Sequence, residues 1–147
     1  MSRDNNIGLA RRYYEECPPD DGDPDKKRAL RAVDELFAEG FVMYFNSATD
    51  AEAMRGSQAH KDFLLEHTRL FPGERWTIEA IVADDQTVAC HWHVRATDAE
   101  TGNPIDVQAA DFFTVQAGRL AALRRFLDFE DLAAQRSGAS PEQQVGA

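Results

Sequence analysis

The chain of 147 residues has little sulfur chemistry to offer, with two cysteines, Cys17 and Cys90, and no Cys-x-x-Cys pair. That excludes a disulfide framework and a thiol redox motif. Cys90 falls in a strand pattern and reads as a small core residue. Basic residues are also short: 16 Lys and Arg stand against 26 Asp and Glu, for a net charge of −10. The longest basic run is Lys26-Lys27-Arg28, in a predicted helix that also carries Asp34 and Glu35. A phosphate backbone or an anionic membrane needs clustered cations, so neither partner is expected. No segment has the apolar length needed to cross a bilayer. The N-terminus lacks an apolar signal core, which makes the cytoplasm the expected location. There is no Gly-rich phosphate loop, no nucleophile elbow and no spaced Cys–His arrangement. No cofactor is expected.

What remains is a globular composition, 43% hydrophobic and 10% aromatic, long enough for one self-supporting domain. The domain is expected over 1–136, with 137–147 as a polar flexible tail.

Hydrophobic spacing predicts a first helix over about Ser2–Cys17, stopped by Pro18 and Pro19, then a polar turn at Asp20-Asp21-Gly22-Asp23. A second helix, capped by Asp23 or Asp25, runs to about Glu39 and ends at Gly40. Phe41 to Asn46 is a short strand, and 47–56 a loop. A third helix covers about Ser57–Leu70, closed by Phe71-Pro72-Gly73. Four strands joined by tight turns follow, over Trp76–Ala83, Thr87–Thr97, Ile105–Val115 and Leu120–Leu127. A short helix, Phe129–Gln135, ends the fold. A meander after helices implies an α+β domain, a mixed and strongly bent sheet with helices on its concave side.

Strand alternation sorts side chains by face. Val42, Tyr44 and Asn46 share one face. His91, His93 and Arg95 oppose Val88, Cys90, Trp92 and Val94. Asp111 and Phe113 go together, and so do Arg124, Phe126 and Asp128, opposite Leu123 and Leu127. Two placements fit: the polar set on a solvated convex face, or inside around a cavity. Hydrophobicity leans toward the first, and periodicity leaves both open.

Taken together, several stretches resemble the nuclear transport factor 2-like superfamily, which includes SnoaL-like polyketide cyclases, ketosteroid isomerase relatives and limonene epoxide hydrolase-like enzymes. They are Phe71-Pro72-Gly73 leading into Trp76-Thr77-Ile78-Glu79, Val88 through Trp92, Thr101-Gly102-Asn103-Pro104, and Asp111-x-Phe113-x-Val115-x-x-Gly118-Arg119-Leu120 leading to Asp128. The resemblance implies a cone-shaped, strongly curved mixed sheet with three to four helices enclosing a pocket, the cystatin-like α+β barrel roll. It implies that Tyr44, Asn46, His91, His93, Arg124 and Asp128 turn inward. Asp128 matches the acid/base carboxylate of the cyclases. Tyr44 and Asn46 look like the pair that positions water in the epoxide hydrolases. His91 and His93 stand where those enzymes carry Arg-x-Asp, a departure from their relay. Asp111 aligns with the acid that donates to an enolate oxygen in the isomerases.

The implied catalytic set is therefore Asp128, His91, His93, Asn46 and Tyr44. The substrate-binding set is Tyr14, Asp111, Phe113, Arg124, Phe126 and Trp92. Asp128 has a plainer reading as the N-cap of the last helix. His91 and His93 also read as satisfied polar strand residues, or as two metal ligands that lack a firm third, so no metal is expected. Tyr14 reads either as an oxyanion donor at the pocket mouth or as core. His60, His67, Glu66 and Arg69 read as surface residues. The expected function is cofactor-independent cyclisation or isomerisation of an apolar polyketide- or steroid-like molecule. The alternatives are epoxide opening by an activated water and ligand binding without catalysis. A homodimer is implied, through an outer sheet face carrying Leu123 and Leu127.

Overall fold

The structure, a computed structural model, describes residues 2–18, 23 and 25–138. The predicted turn residues 20–22 and the tail beyond 138 lie outside the described residues.

Helix α1 (Arg3–Glu16) begins where the Ser2 hydroxyl oxygen accepts the Asn5 N–H at 3.1 Å, a serine N-cap. Its buried residues, Asn6, Ala10, Tyr13 and Tyr14, recur at helical spacing. Helix α2 (Lys27–Leu36) buries Ala29, Ala32, Val33 and Leu36. The Asp23 carboxylate accepts the Arg28 N–H at 2.8 Å.

Helix α2 does not reach Gly40 as the sequence suggests. It stops at Leu36, and strand β1 (Phe37–Phe45) follows at once. Arg119 Nη1 donates to the carbonyls of Asp34, Glu35 and Phe37 at 3.0–3.2 Å, which satisfies the helix end. Gly40 lies in β1 where the register shifts between Phe37 and Val42, the place of a glycine at a bulge.

The expected loop over 47–56 holds a 3-10 turn (Asp50–Glu52) and a short strand, β2 (Met54–Arg55). Helix α3 (Ser57–Leu70) precedes β3 (Arg75–Ala83), β4 (Thr87–Thr97), β5 (Pro104–Gln116) and β6 (Arg119–Leu127), and helix α4 (Phe129–Ser137) follows. The sheet order is β2-β1-β6-β5-β4-β3. Strands β1 and β6 run parallel and every other neighbouring pair runs antiparallel. Register shifts at Ile78/Ala80 and Thr114/Val115 bend the strands. The result is an α+β fold, with helices and a mixed, curved, unclosed sheet.

Burial settles the faces. Val88, Cys90, Trp92 and Val94 of β4 are buried, as are Ile105, Val107, Ala109, Asp111, Phe113 and Val115 of β5. The apolar side of the alternation therefore faces the core, as hydrophobic transfer requires. The inward orientation implied for His91, His93, Tyr44, Arg124 and Asp128 is corrected, because these belong to the opposite side. Leu123 is fully buried and Leu127 packs against the core, so neither forms an outer interface. The large exposed apolar residues on the outer side are Val82, Phe112 and Phe126.

Candidate functional site

The concave side of the sheet, α3 and α4 enclose a cavity of about 260 Å³. Its walls are almost wholly apolar. Phe45, Phe63, Phe71, Trp76, Trp92 and Phe129 supply rings, and Val94, Ile105, Val107, Leu127 and Leu132 fill between them. Three charged or titratable side chains reach this lining: His67, Arg125 and Arg136.

His67 sits in the last turn of α3, between Phe63 and Phe71 at successive four-residue steps. Its ring centroid lies 5.4 Å from that of Phe63 and 4.8 Å from that of Phe71. Its Nδ1 stands 2.8 Å from Glu74 Oε1, on a carboxylate side chain only 1% exposed. The same oxygen accepts the Trp76 Nε1–H at 2.7 Å. Glu74 Oε2 has no partner among the described residues. Because the carboxylate accepts at Nδ1, the neutral imidazole carries its proton there and keeps the Nε2 lone pair free. Sequence reading placed His67 on the surface. The signal for it was present: Phe63, His67 and Phe71 lie one helical turn apart, and Glu74 and Trp76 share a face by alternation.

Arg125 comes from β6 and is 4% exposed. Its Nε donates to Asp111 Oδ1 at 2.9 Å, and its Nη2 to Asp111 Oδ2 at 3.0 Å and to the Tyr13 hydroxyl at 3.1 Å. The guanidinium carbon lies 4.6 Å from the Trp92 ring centroid. Burial opposes this charge, but Asp111 and the Tyr13 hydroxyl outweigh it and hold Arg125 protonated. Tyr14 donates to Asp111 Oδ2 at 2.6 Å, and burial pushes its hydroxyl pKa well above the usual range. Asp111 thus accepts from three donors. It acts as a carboxylate, which corrects its expected role as a donor to an enolate oxygen. Tyr14 is likewise core and spends its proton inside this cluster, not at a pocket mouth.

Behind the cluster, His60 is fully buried, contrary to its expected surface place. Its Nε2 lies 3.2 Å from the Tyr13 hydroxyl, and the rings of Phe37, Phe41 and Phe63 surround it at 4.8–5.6 Å. Burial pulls its pKa down to about 3, with Arg125 adding repulsion. Burial also pushes the Cys17 and Cys90 thiols up to about 12 and about 11, so neither is a ready thiolate.

The remaining sequence candidates do not converge on the cavity. Tyr44 donates to Asp50 Oδ1 at 2.8 Å. Arg124 lies over the Tyr44 ring and donates to the Asn46 carbonyl at 2.7 Å. Asn46, at φ +52°, accepts the Leu127 N–H through Oδ1 at 2.9 Å. These three tie the end of β1 to β6. His91 pairs with Gln108 and His93 with Glu79 across the outer face of the sheet. Phe126 is exposed, edge-on to Phe112 at 5.9 Å. Asp128 caps α4, its Oδ1 accepting the Asp131 N–H at 3.0 Å. Phe113 is core against Tyr13 and Tyr14. Trp92 alone, of the expected catalytic and substrate-binding residues, lines the cavity. Arg136, at the far wall, donates to Asp98 Oδ1 at 2.7 Å and lies over Phe71.

The fold recurs in solved structures at low sequence identity. One is described as a SnoaL-like polyketide cyclase from Jannaschia sp. CCS1: 18% identical, covering 94% of this chain and 95% of that one, TM-score 0.78. A protein described as an isomerase from Rhodopseudomonas palustris is 21% identical over 94% and 99%, TM-score 0.69. An LEH-like epoxide hydrolase of M. tuberculosis is 15% identical over 99% and 98%, TM-score 0.70. No curated protein matches the chain in sequence. The model of one family, described as the SnoaL-like domain, matches residues 10–123, and with most of its length inside that match the chain belongs to the SnoaL-like domain family.

Proposed function

We propose that this protein binds a compact apolar molecule in the 260 Å³ cavity and moves a proton on it without a cofactor, in a cyclisation or isomerisation that passes through an enolate. The carrying observation is His67, paired with the buried Glu74, at the wall of a largely apolar cavity. A buried carboxylate fixes the imidazole tautomer and stabilises the imidazolium that forms when Nε2 takes a proton. The surrounding rings exclude water, which strengthens that exchange. Acid/base duty therefore falls to His67, not to Asp128, which faces outward. A cavity just under the ~300–1,000 Å³ of most small-molecule sites suits one or two rings better than a steroid. The cyclase and isomerase descriptions of the fold relatives agree with proton-transfer chemistry. Epoxide opening asks for Tyr44, Asn46 and Asp128 around one water, and these residues do not line the cavity.

The test is deuterium uptake, followed by NMR in D₂O, at the carbon beside the carbonyl of compact one- and two-ring ketones and enones. His67→Gln is expected to slow uptake by roughly 10²–10⁴-fold, the usual share of a general base. Glu74→Gln should slow it less. Unchanged uptake in His67→Gln removes the pair from the chemistry. Binding without any uptake in the wild type favours the non-catalytic reading.

The proposed assembly is a homodimer, and the proposed location is the cytoplasm, where two buried free thiols stay reduced. The surface offered for the dimer is the Val82, Phe112 and Phe126 patch.

A further inference from the structure

Two hydrogen-bond donors beside the cavity are left over once the fold's own demands are met. The Nε and Nη2 groups of Arg125 are taken by Asp111 and Tyr13. Its Nη1 group makes no hydrogen bond among the described residues. Trp92, stacked under that guanidinium at 4.6 Å, is 3% exposed, and its Nε1 has no partner among the described residues. Buried donors are almost always paired, because an unpaired one forfeits its hydration. Trp92 Nε1 is such a buried donor, and the unbonded Nη1 of Arg125 lies on the group stacked against it. Both residues line one cavity, so together they await an acceptor.

We infer that Arg125 and Trp92 bind a single uncharged oxygen of the ligand, so that the molecule this cavity takes is a compact apolar carbonyl compound. The charge follows from the cluster. Asp111 holds the guanidinium bidentately and cancels its charge locally, so the pair offers protons without a net positive field. A carboxylate ligand would lose its hydration against apolar walls. A pure hydrocarbon would leave both donors dry. Of the other polar side chains of the wall, His67 gives its Nδ1 to Glu74, and Arg136, a third exposed, gives its Nε to Asp98. The inference rests on the proposed pocket and adds the class of ligand and the residues that choose it. A carbonyl oxygen held there would also meet donors already in place as negative charge grows on it, which is the requirement for stabilising an enolate.

Three probes of one shape test it on the full chain, by ligand-detected NMR and calorimetry: α-tetralone, tetralin and 1,2,3,4-tetrahydro-1-naphthoate. The ketone is expected to bind about tenfold tighter than the hydrocarbon, the loss for one buried donor left unpaired. The carboxylate should bind no better than the hydrocarbon. Trp92→Phe should shrink the ketone-to-hydrocarbon ratio several-fold. Arg125→Lys, which keeps a cation for Asp111 but loses the fork, should shrink it also. Should Arg125→Lys fail to fold, the Trp92→Phe ratio decides. Equal binding of ketone and hydrocarbon overturns the donor pair and leaves the pocket reading standing. Tightest binding of the carboxylate overturns the neutral-oxygen assignment. No binding by any probe overturns the pocket and the donor pair together.

Discussion

At the scale of single residues, His60 shows how little the identity of a side chain says about its surroundings. A histidine on a helix reads as polar surface, yet this one is sealed among Phe37, Phe41 and Phe63 and holds the Tyr13 hydroxyl. Its depressed pKa, about 3 against 6.5 for a free imidazole, has a definite sign. The unfolded chain takes up a proton below about pH 6.5 that the folded chain refuses until near pH 3. Its contribution to stability is thus complete above pH 6.5 and is lost as pH falls toward 3, by roughly 4–5 kcal/mol at the limit. Denaturant unfolding at pH 7, 6, 5 and 4 should show a steep acid limb. His60→Gln should flatten that limb, and identical slopes in both proteins would contradict the account. The alternation of β4 was legible at this scale, since Val88, Cys90, Trp92 and Val94 do form the core side. The choice of wet face was not, because it was taken from a resemblance in place of the hydrophobic pattern. His91 and His93, turned inward by that resemblance, both pair outward here, with Gln108 and Glu79.

Among the elements, the spans of α1, α3 and the four-strand meander were readable within a residue or two, because strong periodicity and Pro or Gly punctuation agree there. The junction of α2 with β1 was not. Gly40 looks like a helix stop, but tertiary pairing of Phe37 with Leu120 and the Arg119 clamp end the helix earlier. Helix α4 was predicted close to its true extent, and its start carries the element's clearest test. Asp128→Ala removes the N-cap and should cost about 1 kcal/mol of stability while leaving proton transfer at the cavity intact. A thermal melt and the deuterium-uptake assay on the same variant separate the two roles. A collapse of uptake with an unchanged melt would return Asp128 to the chemistry. The helix is also tied down elsewhere: Gln135 and Asp106 exchange two hydrogen bonds, and the Arg136 carbonyl accepts from Asn103 and Thr101. These ties hold Phe129 and Leu132 against the cavity.

For the whole molecule, the question is what covers the convex side of the sheet. Phe112, Phe126 and Val82 are 46%, 42% and 65% exposed, and an exposed cluster of this kind is a candidate contact surface. Sedimentation of the wild type should report a dimer, and Phe112→Lys with Phe126→Lys should return a monomer with an unaltered circular dichroism spectrum. A monomeric wild type at all concentrations would end that proposal. The fold class itself was legible from the order of elements, whereas the full set of charged groups at the cavity was not, because Arg125 joins His67 in one lining only in three dimensions.

The parallel pairing of β1 with β6 has a kinetic meaning. The meander from β3 to β6 is built from neighbours in sequence, but Arg124 and Asn46, which lock the junction, are 78 residues apart. Closing so long a loop is entropically slow, and non-local pairings set the pace of folding. Phe45 reaches the cavity only when β1 has found its place beside β6. The cavity is therefore complete only once the two halves of the chain have met.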